Sequence, residues 1–267
     1  MGTALITGAT SGIGLELAWQ LAAAQHDLVL VARTASRLEQ VAEELRQLAG
    51  IQVQVIAADL SEPIGIEAVA QRLRVARPAG PRPAEVAQRP VDLLVNNAGF
   101  AVGQRFVGGD IEQERRAMAV MVRAVMELTH AALPGMVERG HGAILSISSA
   151  TALTAMGTYA AHKAWVRTFT EGLASELRGT GVSATVVNPG LTHSDFHARA
   201  HMDEGAWPAF AWLNAEDVAR QALAAVRRGQ VICTPSVRYL AVNAALRMSP
   251  RWLVRRVAGH ASVRNQY

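Results

Sequence analysis

The stretch TALITGATSGIG, residues 3–14, decides the architecture. Thr3 to Thr7 is apolar and short enough for one buried strand. It runs without a linker into Gly8-Ala9-Thr10-Ser11-Gly12-Ile13-Gly14 and then into a helical pattern, with Leu17, Leu21 and Ala24 spaced for one buried face. Strand, glycine turn and helix in that order form the context a dinucleotide-binding fingerprint requires. Glycines there let the backbone approach a pyrophosphate and let the helix pack closely on the sheet. The helix N-terminus adds free N–H groups and a positive dipole end.

Working outward, strands alternate with helices along the chain. Leu28 to Ala32 is the second strand and ends on Arg33-Thr34-Ala35-Ser36-Arg37. An NAD site would place Asp or Glu here to hold the ribose hydroxyls. Arg33 instead suits the 2′-phosphate of NADP through charge-assisted bonds, so NADP is expected over NAD; Arg37 reads as helix surface. Gln52 to Ala57 is the third strand, leading to Asp59, for which two readings are open: a contact to the adenine amino group, or an N-cap for the next helix. Residues 77–90, RPAGPRPAEVAQRP, hold four prolines and read as an exposed loop. Val91 to Val95 is the fourth strand, followed by Asn96-Asn97-Ala98-Gly99. Amides and a glycine at a strand's carboxyl end can brace neighbouring strands and admit a nicotinamide ribose.

The segment from Ala143 to Lys163 carries the chemistry. A strand (Ala143 to Ile147) leads through a Ser-rich loop to a helix entered near Thr158, on which Tyr159 and Lys163 stand at i and i+4 and share a face. A nearby ammonium stabilises phenolate and pulls a tyrosine pKa down from about 10. Lys163 is the only lysine in the chain, all other basic residues being Arg. A compact point charge reaches both a phenol and a ribose hydroxyl where a planar fork does not. Ser183 to Val187 is strand six, ending in Asn188-Pro189-Gly190 and Leu191-Thr192-His193-Ser194-Asp195. Residues 191–214, with Phe196, Trp207, Phe210 and Trp212, read as a substrate-covering segment.

Bulk composition narrows the class. One domain is expected over residues 1–267. A single cysteine, Cys233, excludes an intrachain disulfide. The opening MGTALITG lacks a basic region followed by an apolar run, so no signal peptide is expected and a cytoplasmic location is. His130 and His141 lack ligand company, and no metal site is expected. From Arg220 to the end there are nine Arg and no Asp or Glu, although the net charge is only +4. Nucleic acid is not the expected partner of this tail (236–267), which lacks interleaved aromatics and Gly/Ser linkers. Its apolar repeat, Val237, Leu240, Ala241, Ala244, Ala245 and Met248, predicts a helix packed on its own domain or a second subunit. An anionic membrane surface is the alternative.

These motifs, in this order, resemble the short-chain dehydrogenase/reductase family over nearly the whole chain: Thr7 to Gly14, Asn96-Asn97-Ala98-Gly99, the serines ahead of Tyr159-Ala-Ala-His-Lys163, and Asn188-Pro189-Gly190. The resemblance implies an α/β, Rossmann-type doubly wound parallel sheet of seven strands in the order 3-2-1-4-5-6-7, with helices on both faces. It implies NAD(P)-dependent interconversion of a carbonyl and a secondary alcohol; a small apolar substrate and a homodimer or homotetramer are expected. By likeness Tyr159 is the acid/base, Lys163 binds the nicotinamide ribose and lowers the Tyr159 pKa, and a serine polarises the carbonyl. The expected cofactor contacts are Gly8, Thr10, Ser11, Gly12, Ile13, Gly14, Arg33, Asp59, Asn97, Ala98, Gly99, Tyr159, Lys163, Pro189, Gly190, Thr192 and Ser194.

Two departures stand out. The usual spacing would put the serine at Ser146, inside a strand; the strand-end pattern puts it at Ser149, with a shorter loop and Ser148 as the rival. Met121 stands where the family often has an asparagine that bends its helix and anchors a proton relay, which a thioether cannot do. A nucleotide-binding protein with little catalysis is the alternative that Met121 supports, and a peripheral membrane reductase is the one the tail supports.

Overall fold

The computed structural model describes residues 2–75, 84–193 and 208–259. Strands β1 (Thr3–Thr7), β2 (Asp27–Ala32), β3 (Val53–Ala57), β4 (Leu93–Asn96), β5 (Gly142–Ile147), β6 (Val182–Val187) and β7 (Ile232–Cys233) form one parallel sheet in the order 3-2-1-4-5-6-7. The parallel arrangement suits the composition. The interiors of β1 (Ala4–Ile6), β2 (Leu28–Val31) and β5 (Ala143–Leu145) are apolar and need cover on both faces, which a parallel sheet wrapped by helices supplies. Two cores result, one on each face. The first packs Leu17 and Leu21 of α1 (Gly12–Ala23), Leu38 and Leu45 of α2 (Ala35–Ala49), and Val218 and Leu223 of α7 (Ala215–Arg227). The second packs Ile66 and Val69 of α3 (Pro63–Leu73), Leu128 and Met136 of α5 (Ala124–Arg139), and Leu173 of α6 (Gly157–Glu176). Ala24, expected on the buried face of α1, lies at its exposed end.

Strand direction reverses its winding between β1 and β4, and ligands of open α/β sheets bind at such a switch point. Gly8, at φ +68°, turns the chain there; its N–H bonds Val31 O at 2.8 Å.

The helix before β5 is interrupted. Helix α4 (Ile111–Met118) passes through a π-helical turn, Ala119–Arg123, into α5. Helical from Ile111 to Arg139, it has the length and apolar composition to cross a membrane, yet half of its apolar window is buried inside the fold. Met121, Val125 and Leu128 are buried, while Met118 turns outward. The proline-rich loop is not simply exposed in its described part. Val86 N donates to Gln52 Oε1 at 2.8 Å, the buried Arg72 donates to Val86 O and Arg89 O, and Arg89 pairs with Asp27.

The tail forms α8 (Val237–Met248) and α9 (Arg251–Val257). The amphipathic repeat does not pack on the domain. Val237, Leu240, Ala241, Ala244, Ala245 and Met248 are all exposed, and the inward face is Tyr239, Asn243 and Leu246. Hydrogen bonds explain the reversal: Tyr239 and Asn243 are committed to Leu191, Ala211 and Thr234, which turns the apolar stripe away.

Candidate active site

The glycine turn and the end of β4 are built against each other. A Cβ at Gly14 would sit 2.3 Å from Gly8 O and 2.4 Å from Asn97 Nδ2, and one at Gly8 would sit 2.9 Å from Asn97 Nδ2. Asn97 is held there because its amide donates to Thr7 O at 3.0 Å and Gly8 O at 3.1 Å. Thr7 Oγ1 accepts from Asn97 N and Ala98 N and donates to Val95 O. The bare backbone at Gly8, Gly12 and Gly14 and the start of α1, preceded by Thr10 and Ser11 and including Ile13, fit a pyrophosphate. Arg33 is exposed directly after β2, near Asp59. Asp59 is not the N-cap of α3, whose preceding residue is Glu62; its Oδ1 instead accepts from Ser61 N and Ser61 Oγ. Burial pushes the Asp59 carboxyl up, but those two bonds and the charges of Arg33 and Arg116 outweigh it and hold it below its ordinary value.

The three serines separate by environment. Ser146 is fully buried in β5 opposite Asn96, and its Oγ has no partner. Ser148 Oγ donates to Lys163 O at 2.7 Å and so anchors α6. Ser149, just beyond β5, hydrogen-bonds Tyr159. Its Oγ also accepts from Thr151 N at 3.1 Å and Thr151 Oγ1 at 2.9 Å. A hydroxyl has two acceptor sites and one proton, and the Thr151 contacts fix the Ser149 hydroxyl within reach of Tyr159.

Lys163 is buried, donates Nζ to Ile147 O at 2.8 Å, and lies 5.7 Å from the centre of the Tyr159 ring. A Cβ at Gly99 would approach Nζ at 3.4 Å and Met121 Sδ at 3.3 Å, so glycine keeps that floor open. Burial lowers the Lys163 ammonium to about 8. It also raises the Tyr159 phenol well above its ordinary value, and the Ser149 hydrogen bond offsets only part of that. This corrects the expectation of a lowered tyrosine: at this separation the ammonium does not outweigh desolvation.

Residues 2–205 match the family described as short chain dehydrogenase. The chain belongs to the short chain dehydrogenase family. It is 34% identical over 225 residues to sulfoacetaldehyde reductase 2 of Chromohalobacter salexigens, covering 80% of this chain and 84% of that protein. It is also 34% identical over 201 residues to a short chain dehydrogenase of Pseudocercospora fijiensis, covering 73% of this chain but only 61% of that longer relative. A short-chain dehydrogenase from Sphingobium yanoikuyae, solved in complex with NADPH, superimposes with a TM-score of 0.81 at 33% identity, covering 92% and 94% of the two chains. The protein is therefore an NAD(P)-dependent oxidoreductase of this family.

In this short chain dehydrogenase the bend that a family asparagine often provides is present without it, as the π-helical turn that places Met121 against Gly99. Pro189 and Gly190 close the site on the β6 side. Pro189 O accepts from Ala150 N at 2.8 Å, Thr192 Oγ1 bonds Gly190 O, and Leu191 and Leu213 pair so that the two ends of the 191–214 segment are pinned together. Ser194, Asp195, Phe196 and Trp207 lie outside the described residues. Two contributors were not singled out in the sequence. Thr7 carries a visible signal, a hydroxyl in an otherwise apolar strand at the glycine turn. Tyr239, whose OH accepts from Leu191 N and donates to Ala211 O, gives none, because its partners lie 48 and 28 residues away.

Proposed function

We propose that this dehydrogenase interconverts a ketone or aldehyde and its alcohol on a small apolar substrate, with NADPH preferred over NADH, in the cytoplasm. The convergence of Ser149, Tyr159 and Lys163 at the end of β5 carries the reading: Ser149 is within hydrogen-bond reach of Tyr159, and Lys163 Nζ lies 5.7 Å from its ring centre. Bound in the crevice, a reduced nicotinamide supplies the hydride that reaches the carbonyl carbon. Tyr159, kept protonated near neutrality by burial, gives its proton to the carbonyl oxygen as charge develops there. Ser149 holds that oxygen, and Lys163 stabilises the phenolate left behind while reaching the nicotinamide ribose. Gly8, Gly12 and Gly14 take the pyrophosphate; Asn97, Ala98, Gly99, Pro189, Gly190 and Thr192 border the nicotinamide half, and Asp59 the adenine.

Arg33, which follows β2 where an NAD site would carry Asp or Glu, supports the 2′-phosphate. Substrate polarity is read from the borders. Residues 150–156, ATALTAM, and 208–213, PAFAWL, contain no charged side chain. A panel of ketones and aldehydes, graded from apolar to carboxylated, should show NADPH consumption rising toward the apolar members. No consumption with any of them would favour a nucleotide-binding protein without catalysis.

A further inference from the structure

The outward stripe of α8 has no counterpart in the oxidoreductase chemistry. Val237, Leu240, Ala241, Ala244 and Met248 recur at i, i+3, i+4, i+7 and i+11, so they form one continuous line on the helix. Val237 is 84% exposed, Leu240 57% and Met248 83%, values that solvent alone does not favour for one contiguous row. Arg238 and Arg247 flank the line on opposite sides. Next to it, α9 exposes Trp252 and Val257 together with Arg255 and Arg256.

Charge selects the occupant. No Asp or Glu follows Asp217 in the sequence, so α8 and α9 themselves carry only positive charge; Asp217 stands near Val237 and Arg238 but is paired with Arg220. Pairing the two helices with those of a second copy through a twofold axis would bring arginine against arginine with no acid on either helix to offset it. A nucleic acid would use the arginines but leave the apolar line and Trp252 in water. A surface that offers hydrocarbon at its centre and phosphate around it satisfies both, and an apolar stripe flanked by cations with a tryptophan nearby is the pattern of an interfacial helix. We propose that α8 and α9 dock on an anionic lipid bilayer, the stripe entering the headgroup–acyl boundary and Arg247, Arg255 and Arg256 meeting lipid phosphates.

The inner faces of the same helices border the catalytic cleft. Tyr239 holds Leu191 and Ala211, Arg251 donates to Leu153 O at 3.1 Å, and Ala155 N donates to Ala258 O at 3.0 Å. Leu153 and Ala155 lie in the short link between Ser149 and Tyr159.

The test uses the full chain with sedimenting vesicles of phosphatidylcholine, with and without about one third phosphatidylglycerol. Binding should be at least about tenfold tighter to the anionic vesicles and should weaken as salt is raised. Leu240→Glu with Met248→Glu should abolish it without moving the thermal midpoint, since both side chains are exposed. Arg247→Gln with Arg255→Gln and Arg256→Gln should remove the preference for anionic vesicles. A wild-type chain that stays in the supernatant, or a Glu variant that still sediments, overturns the proposal. So does a dimer that the Glu variant converts to monomer, which would assign the stripe to a second copy. None of these readouts depends on turnover, so they stand apart from the ketone assay.

Discussion

Lys163 reaches Tyr159 from below, its Nζ 5.7 Å from the ring centre and bonded to Ile147 O at 2.8 Å rather than to the phenol. The ammonium is thus fixed by β5, the same strand whose end carries Ser149, so one strand positions two of the three groups. Holding that cation in a buried site has a cost in the free protein. Its value of about 8 lies below the ordinary 10.5, so between those values the unfolded chain binds a proton the folded chain does not. Stability should therefore rise with pH across that window. The penalty is full below about 8, on the order of 3 kcal/mol at most. Lys163→Met, without cofactor, should melt higher than wild type at pH 7, with the difference shrinking toward pH 10. Equal midpoints at both pH values would show that the Ile147 bond offsets the burial.

Ser146 and Ser149 should respond oppositely to alanine. Ser149→Ala removes the hydroxyl proposed to hold the substrate oxygen and should lower kcat by about a hundredfold or more with NADPH affinity intact. Ser146→Ala deletes a buried hydroxyl without a partner, so turnover should be unchanged and stability equal or up to about 1 kcal/mol higher. Steady-state kinetics and thermal melts of the two variants decide it. Damage confined to Ser146→Ala would assign the substrate contact to Ser146 instead.

The alternation of strands and helices and the Tyr159–Lys163 pair were legible because each is local, whereas the strand order and the serine's role came from the family resemblance. A parallel sheet is announced by apolar strands alternating with helices, and Tyr159 and Lys163 share a helix face by spacing alone. The tyrosine's raised pKa was not legible, because desolvation depends on what the rest of the chain places around the ring. That the α8 stripe does not pack on its own domain, one of the partners expected for it, was not legible for a related reason. Periodicity identifies an apolar face but not the direction it points, and here two polar residues, Tyr239 and Asn243, decide that direction through distant partners.

Cofactor preference should follow Arg33. Its guanidinium is exposed at the end of β2, and losing one charge-assisted phosphate contact costs about 1.5–3 kcal/mol. Arg33→Ala should weaken NADPH binding by roughly tenfold or more and leave NADH nearly unchanged. Fluorescence titration with both cofactors measures it. Equal wild-type affinity for NADPH and NADH would remove the assignment.

Lys163→Arg keeps the charge but should fail. The Nζ site is bounded by Ile147 O at 2.8 Å and by Gly99, where even a Cβ would come within 3.4 Å of it. A planar guanidinium is wider than an ammonium and would displace Met121 or the ribose. Turnover and NADPH affinity should both drop, whereas Tyr159→Phe should lose turnover alone. Near-wild-type activity of Lys163→Arg would show that bulk positive charge suffices.

The tightest contact bordering the site joins two residues far apart in sequence, and it offers a cycle rather than a single variant. A Cβ at Gly190 would lie 1.9 Å from Tyr239 Cζ and 2.0 Å from Cε2, and the ring cannot swing aside freely because its hydroxyl bonds both Leu191 N and Ala211 O. Gly190→Ala should therefore cost about 1–3 kcal/mol, the usual range for overpacking. Tyr239→Ser should also destabilise, by opening a gap and freeing those two backbone groups. The double variant should be more stable than the sum of the two losses implies, because the new methyl enters space the ring has left. The same pair should split the kinetics: with the neck at Leu191 and Leu213 loosened, KM for the carbonyl substrate should rise more than kcat falls. Thermal melts of the four proteins give the coupling energy. Strict additivity would mean that the loop after β6 yields instead of the ring, and that Tyr239 does not hold the site's border.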